Sequence, residues 1–223
     1  VIVLHACCHN PTGADLTEAQ WAEVVKACAS RGLVPFLDMA YQGFAEGIEA
    51  DAVAVRAFSA SGLQFFASSS FSKNFSLYGE RVGALSIVTA SKEEAGRVMS
   101  QVKRVIRTNY SNPPIHGGAL VAAVLASPEL RAQWEQELAG MRDRIRAMRT
   151  GLVDAIKAAG VQQDFSFVVK QRGMFSYTGL SAAQVETLKN DFGIYAVSTG
   201  RICLAALNTK NIGYVAEAIA KVL

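Results

Sequence analysis

Histidine, cysteine and long apolar runs are scarce in this chain. Three histidines and four cysteines in 223 residues leave little for a metal centre. Cys7 and Cys8 are adjacent and lie between His5 and His9, but that spacing matches no usual zinc pattern and no second pair follows, so no metal is expected. Cys28 and Cys203 stand far from that pair, and the four together read as free thiols of a reducing, cytoplasmic compartment rather than as a disulfide framework. No apolar run reaches the roughly 18 residues that cross a bilayer, and the start lacks the charged-then-apolar layout of a signal peptide, so no membrane partner is expected. Charge of one sign is not concentrated either. The 22 basic and 19 acidic residues leave +3, and the densest basic stretch, Lys103, Arg104 and Arg107, falls in a helical pattern as a solvated face, which argues against nucleic acid. There are no internal repeats and no low-complexity segment.

What is present is enough to bury a core: 51% of the residues are hydrophobic and 18% charged. The chain opens without methionine on Val1-Ile2-Val3-Leu4, a buried-strand pattern that reads as the start of a chain beginning mid-domain. A turn rich in Asn, Pro and Gly follows, then an amphipathic helix from Asp15 and Thr17 to Arg31-Gly32, then a second apolar strand, Leu33 to Leu37. Gln64 to Ala67 and Gly83 to Thr89 read as third and fourth strands, and Ser91 to Ile106 as a helix broken at Asn109-Tyr110-Ser111-Asn112-Pro113-Pro114. Helical periodicity returns at Ile115, and a long charged segment runs from Ser127-Pro128 to about Ala159. The tail predicts strands at Phe165 to Val169, Ile194 to Val197 and Ile202 to Ala205, a capped helix from Ser181 to Phe192 and a last helix ending at Leu223. Strand, helix, strand at this spacing predicts the α/β class: a mainly parallel sheet with crossover helices, followed by a smaller C-terminal α/β domain. The expected division is residues 1–140 and 141–223.

In such sheets ligands lie beyond the carboxyl ends of the strands, where Asn10, Asp38 and Tyr41 fall and to which the third strand delivers Ser68-Ser69-Ser70-Phe71-Ser72-Lys73-Asn74. Arg81 follows eight residues after Lys73. An arginine stays charged and offers a planar fork to phosphate or carboxylate, whereas a buried lysine can lose its proton and act as a nucleophile. A lysine amine, an acid at a strand end, a tyrosine three residues after it and a hydroxyl-lined anion site form the set needed to hold pyridoxal phosphate. The lysine forms a Schiff base with the aldehyde, the carboxylate keeps the pyridine nitrogen protonated, and the freed lysine moves a proton at the substrate carbon.

The segments Cys8-His9-Asn10-Pro11-Thr12-Gly13-Ala14, Asp38-Met39-Ala40-Tyr41-Gln42-Gly43-Phe44, Ser70-Phe71-Ser72-Lys73-Asn74-Phe75 with Glu80-Arg81-Val82-Gly83, Asn109-Tyr110-Ser111-Asn112-Pro113-Pro114 and Gly173-Met174-Phe175-Ser176 resemble, in order, the fold-type I aspartate and aromatic-amino-acid aminotransferases. The resemblance implies that residues 1–140 are the C-terminal part of a cofactor-binding large domain and 141–223 a small domain. It implies Lys73 as the Schiff-base lysine, Asp38 on the pyridine nitrogen, Asn10 and Tyr41 on the ring oxygen, and Ser70 and Arg81 on the phosphate. It further implies Arg201 on the substrate α-carboxylate, Phe175 near the substrate, and Arg107 reaching across a homodimer interface to a side-chain carboxylate. Members of that family carry a comparable length of chain upstream, with the aromatic residue that stacks on the ring and further phosphate-binding groups.

Ser76-Leu77-Tyr78-Gly79-Glu80 departs from the Gly-Leu-Tyr-Asn-Glu more usual in aspartate enzymes, and Phe175-Ser176-Tyr177-Thr178-Gly179-Leu180 with Leu207-Asn208-Thr209 looks closer to the bacterial tyrosine branch, while Arg107 fits dicarboxylates. The implied reaction is therefore transamination of aromatic amino acids and aspartate or glutamate, with 2-oxoglutarate as acceptor. The alternatives are a strict aspartate aminotransferase and a catalytically inert fragment of such an enzyme. Ser70-Phe71-Ser72-Lys73 also spells the S-x-x-K of penicillin-recognising acyl-transfer enzymes, but that reading requires S-D-N, K-T-G and a serine opening a helix. Lyases, decarboxylases and racemases share fold type I, and the two carboxylate-binding arginines and Asp38 argue against them.

Overall fold

The β-branched run at the start becomes β1 (Ile2–His5), and the next apolar run becomes β2 (Pro35–Met39) after the helix α1 (Glu18–Arg31). Thr17 and Gln20 form a capping box that closes the N-terminus of α1, and Gly32 in the left-handed conformation ends it. A second helix, α2 (Val53–Ala60), precedes β3 (Phe65–Ser70) and β4 (Gly83–Val88). Then come α3 (Lys92–Asn109), α4 (His116–Ala126) and the 31-residue α5 (Pro128–Ala158), whose proline occupies the first helical position, where its missing N–H costs nothing. The remainder comprises α6 (Phe167–Lys170), β5 (Phe175–Tyr177), α7 (Ala182–Phe192), β6 (Arg201–Cys203) and α8 (Ile212–Val222).

The computed structural model describes residues 1–223 and resolves them into two units. Unit 1 contains Val1–Cys7, Leu16–Gly43 and Gly47–Leu138; unit 2 contains Cys8–Asp15, Phe44–Glu46 and Ala139–Leu223. In unit 1 the strands lie in the order β1-β2-β3-β4, the first three parallel and β4 antiparallel to β3, so the sheet is mainly parallel, as its sequence pattern predicts. Leu37 and Met39 of β2 and Phe65 and Ala67 of β3 pack against Trp21 and Cys28 of α1 and Ala54 and Phe58 of α2. Because strand side chains alternate, the residues between them face the other way. On that second face Phe36 meets Phe66 edge-on with ring centroids 5.8 Å apart, and Asp38 lies opposite Ser68 in the ladder.

Unit 2 contains the two-stranded antiparallel sheet of β5 and β6. Its core is formed by Ile145, Leu152 and Ile156 of α5 with Val168, Val185, Leu188, Leu204 and Ile219. Two predicted strands are corrected here. Phe165 to Val169 runs into a single helical turn, α6, preceded by Asp164, whose carboxylate accepts from the backbone N–H and hydroxyl of Ser166 at 2.7 and 2.9 Å. Ile194 to Val197 pairs with no strand: its end is closed into a turn by Gly200 N–H to Val197 C=O at 2.8 Å, and Tyr195 stands 80% exposed. The helix α2 has no counterpart among the elements the sequence pattern predicts, and β3 runs three residues beyond its predicted end, to Ser70.

Candidate active site

The serine run is strand rather than loop. Ser68, Ser69 and Ser70 pair with Leu85, Ala84 and Gly83 of β4, and Ser68 and Ser69 also pair with Asp38 and Met39 of β2. Ladders on both sides outweigh the weak strand preference of serine. Ser70 thus ends a strand, which removes the context that an S-x-x-K acyl-transfer serine needs.

Asp38 is presented near the carboxyl end of β2, on the face turned away from α1 and α2, with a side chain 37% exposed. The Ser68 hydroxyl donates to its Oδ1 at 3.2 Å, and His5 Nε2, opposite it in β1, lies 3.9 Å from Oδ2. The sequence motifs place neither neighbour on Asp38; strand register brings them to the carboxylate.

Lys73 sits in the turn after β3, and the turn is held firmly. The Phe71 N–H donates to Val82 C=O, the buried Asn74 amide donates to Gln42 C=O, and the Trp134 indole N–H donates to Asn74 C=O at 2.7 Å. Phe75 stacks on Trp134 with centroids 4.5 Å apart. The Lys73 ammonium comes out over the buried Tyr41 ring, 4.9 Å from its centroid. Arg81 is exposed, adopts a left-handed backbone conformation at φ 53° and donates to Tyr78 C=O at 3.0 Å. With Ser68, Ser69, Ser70 and Ser72 it lines an open hollow of about 360 Å³. Hydroxyls and a guanidinium around one hollow are donors suited to an anion. Arg107, in the last turn of α3, stands apart and donates to the Ser111 hydroxyl.

The other three candidates are in unit 2. Arg201 of β6 donates from Nη1 to Asn10 Oδ1 at 2.9 Å, and its guanidinium lies 4.6 Å from the centroid of the Phe175 ring. Residues 191 positions apart in the sequence are therefore in direct contact. All four non-glycine residues with positive φ are within four residues of a candidate: Cys8 before Asn10, Ser76 after Lys73, Arg81 itself and Ser111 after Arg107. Such conformations cost energy and gather where function fixes the backbone.

The family model for aminotransferases of class I and II matches residues 1–219. The chain belongs to that family. Among curated members, an aspartate aminotransferase of Pseudomonas aeruginosa is 66% identical and an aromatic-amino-acid aminotransferase of Escherichia coli 52% identical, each over the whole of this chain and 56% of its own length. The crystal structure of an aromatic-amino-acid aminotransferase from Burkholderia pseudomallei, covalently bound to pyridoxal phosphate, superposes with a TM-score of 0.97 at 73% identity, over 99% of this chain and 55% of that one. This aminotransferase-family chain thus spans just over half the length of the relatives it matches.

Proposed function

We propose that this chain supplies the lysine and the substrate-carboxylate site of a pyridoxal-phosphate-dependent aminotransferase acting on aromatic amino acids and on aspartate or glutamate, with 2-oxoglutarate as amino acceptor. The observation that carries the reading is Lys73: its amine projects from a rigid turn over the Tyr41 ring, next along the chain from the serine- and arginine-lined hollow. The donor set fits the cofactor, since it offers an amine for the aldehyde, a carboxylate for the ring nitrogen and cationic and hydroxyl donors for the phosphate. Lys73 would hold it covalently, Asp38 would pair with the ring nitrogen, Asn10 and Tyr41 would bond the ring oxygen, and Ser70 and Arg81 would hold the phosphate. Bound there, pyridoxal phosphate supplies an electron sink for the bond broken at the substrate α-carbon.

The remaining roles belong to the chain's own side chains. Ser68 orients the Asp38 carboxylate by the hydrogen bond it donates. Lys73, once released, carries the proton at the α-carbon as general base. Arg201, fixed by Asn10 and backed by Phe175, presents its fork to the α-carboxylate. In this reading residues 1–140 are the C-terminal part of the cofactor domain and 141–223 the small domain. The protein is a cytoplasmic homodimer in which Arg107 serves the partner's site.

The names of the relatives include both aspartate and aromatic-amino-acid enzymes, and in this reading Arg107 is where the two substrate classes diverge. In the protein as its gene encodes it, Arg107→Leu is expected to lower kcat/KM for aspartate by about 10–100-fold, the worth of a charge-assisted pair, and to leave phenylalanine nearly unchanged. Equal losses for both substrates would refute the assignment.

A further inference from the structure

Arg149 is the most deeply buried cation in the chain, 2% exposed, and the proposed chemistry does not use it. It lies on α5 within unit 2, and no carboxylate pairs with it. From Nη1 it donates to Val168 C=O at 2.9 Å and to the Ser176 hydroxyl at 3.2 Å; from Nη2 it donates to Gly173 C=O at 2.6 Å and Phe175 C=O at 2.7 Å. Burial pushes its guanidinium down, to about 10, so the charge is held at a cost that a neutral apolar residue would not incur.

That cost is offset by geometry only a guanidinium provides: several donors in one rigid plane, reaching three carbonyls between the short helix α6 and the start of β5. The segment is already pinned from its other side. Arg172 N–H donates to Gly13 C=O at 2.6 Å, and a Cβ on Gly13 would come within 2.8 Å of Phe175 C=O. Residues 171–176 are thus clamped between Arg149 and the turn that carries Asn10, and Phe175 leaves the clamp with its ring against Arg201.

We propose that Arg149 is a positioning residue for Arg201: by fixing the carbonyls of Gly173 and Phe175 it sets the Phe175 ring, and through it the direction in which Arg201 offers its fork to a substrate carboxylate. The proposal rests on the carboxylate-binding reading of Arg201 given above. It makes Arg149 a determinant of carboxylate affinity from beneath the site, without contact to substrate.

The test uses the protein as its gene encodes it, with 3-phenylpropanoate, a carboxylate that cannot react, as the binding probe. R149K and R149M are each expected to raise the Kd of the probe and the KM for phenylalanine by about 10-fold, with a smaller fall in kcat, because a point charge or a thioether cannot replace the planar fork. In an R201L background, R149M is expected to change the probe Kd by less than about 2-fold, since the two act along one line. Because R149M leaves four acceptors without their donor, S176A, which removes one of those acceptors together with the hydroxyl's own donation to Gln171, is read alongside, with an expected KM rise of about 2–3-fold. Variants that melt at lower temperature while retaining the parent Kd and KM would overturn the proposal and leave Arg149 a purely structural tie. If R149M weakens the probe as much in the R201L background as in the parent, Arg149 does not act through Arg201. Should R201L itself leave the probe Kd unaltered, the carboxylate reading of Arg201 falls, and this proposal with it.

Discussion

Asp38 shows how much a single strand position decides. Its neighbours Leu37 and Met39 are buried against the helices of unit 1, so alternation turns the carboxylate to the opposite face, where Ser68 donates to it and His5 lies 3.9 Å away. A shift of one residue in the β2 register would bury the acid in the apolar core instead. Asp38→Asn preserves size and the Ser68 contact and removes only the charge. Its expected effect is an intact fold by circular dichroism and a loss of turnover on the order of 10²–10³-fold, the scale seen when a preorganised electrostatic group is removed. Parental kcat in the Asp38→Asn enzyme would remove the ring-nitrogen role. At this scale Lys73, Asp38 and Tyr41 could be singled out from the sequence because they stand in motif segments. Ser68 and His5 were not, because their closeness to Asp38 is a property of strand register and not of spacing along the chain.

Among the elements, those that carry their own punctuation were read most closely. The helices α1 and α7 each have a capping box and a left-handed glycine at the end, and both fall within a residue or two of their predicted limits. Elements decided by distant partners were misread. The run Phe165-Ser166-Phe167-Val168-Val169 has strand composition, yet its carbonyl at Val168 is claimed by Arg149 and its start is turned by Asp164. The serines of β3 lack strand propensity, yet two flanking strands hold them. Among the glycines of unit 2, Gly173, with φ +77°, leaves the least room: a Cβ there would meet Cys8 Cβ at 2.5 Å. Gly173→Ala is therefore expected to destabilise the protein by about 1–3 kcal/mol, from left-handed strain and overpacking together, read as a lowered midpoint in urea at constant m. An unchanged midpoint would contradict the close packing of Gly173 on Cys8.

For the whole molecule, the α/β class follows from the alternation of strands and helices, whereas the surface carries features that the pattern does not announce. In unit 1, β4 and α3 enclose an open apolar groove of about 1490 Å³, and Leu85, Met99 and Val105 on it are 53, 54 and 63% exposed. Apolar periodicity marks such residues as core, and only the packed structure shows which of them unit 1 leaves uncovered. No helix is long and apolar enough to cross a membrane.

The proposed chemistry turns on Lys73, and one measurement addresses it directly. The protein as its gene encodes it is mixed with pyridoxal phosphate, reduced with borohydride to fix any lysine–cofactor linkage, digested and mapped by mass spectrometry. The expected result is one label per chain, on Lys73 alone, abolished by Lys73→Ala. Label spread over surface lysines, or a Lys73→Ala protein labelled to the same extent as the parent, would contradict it.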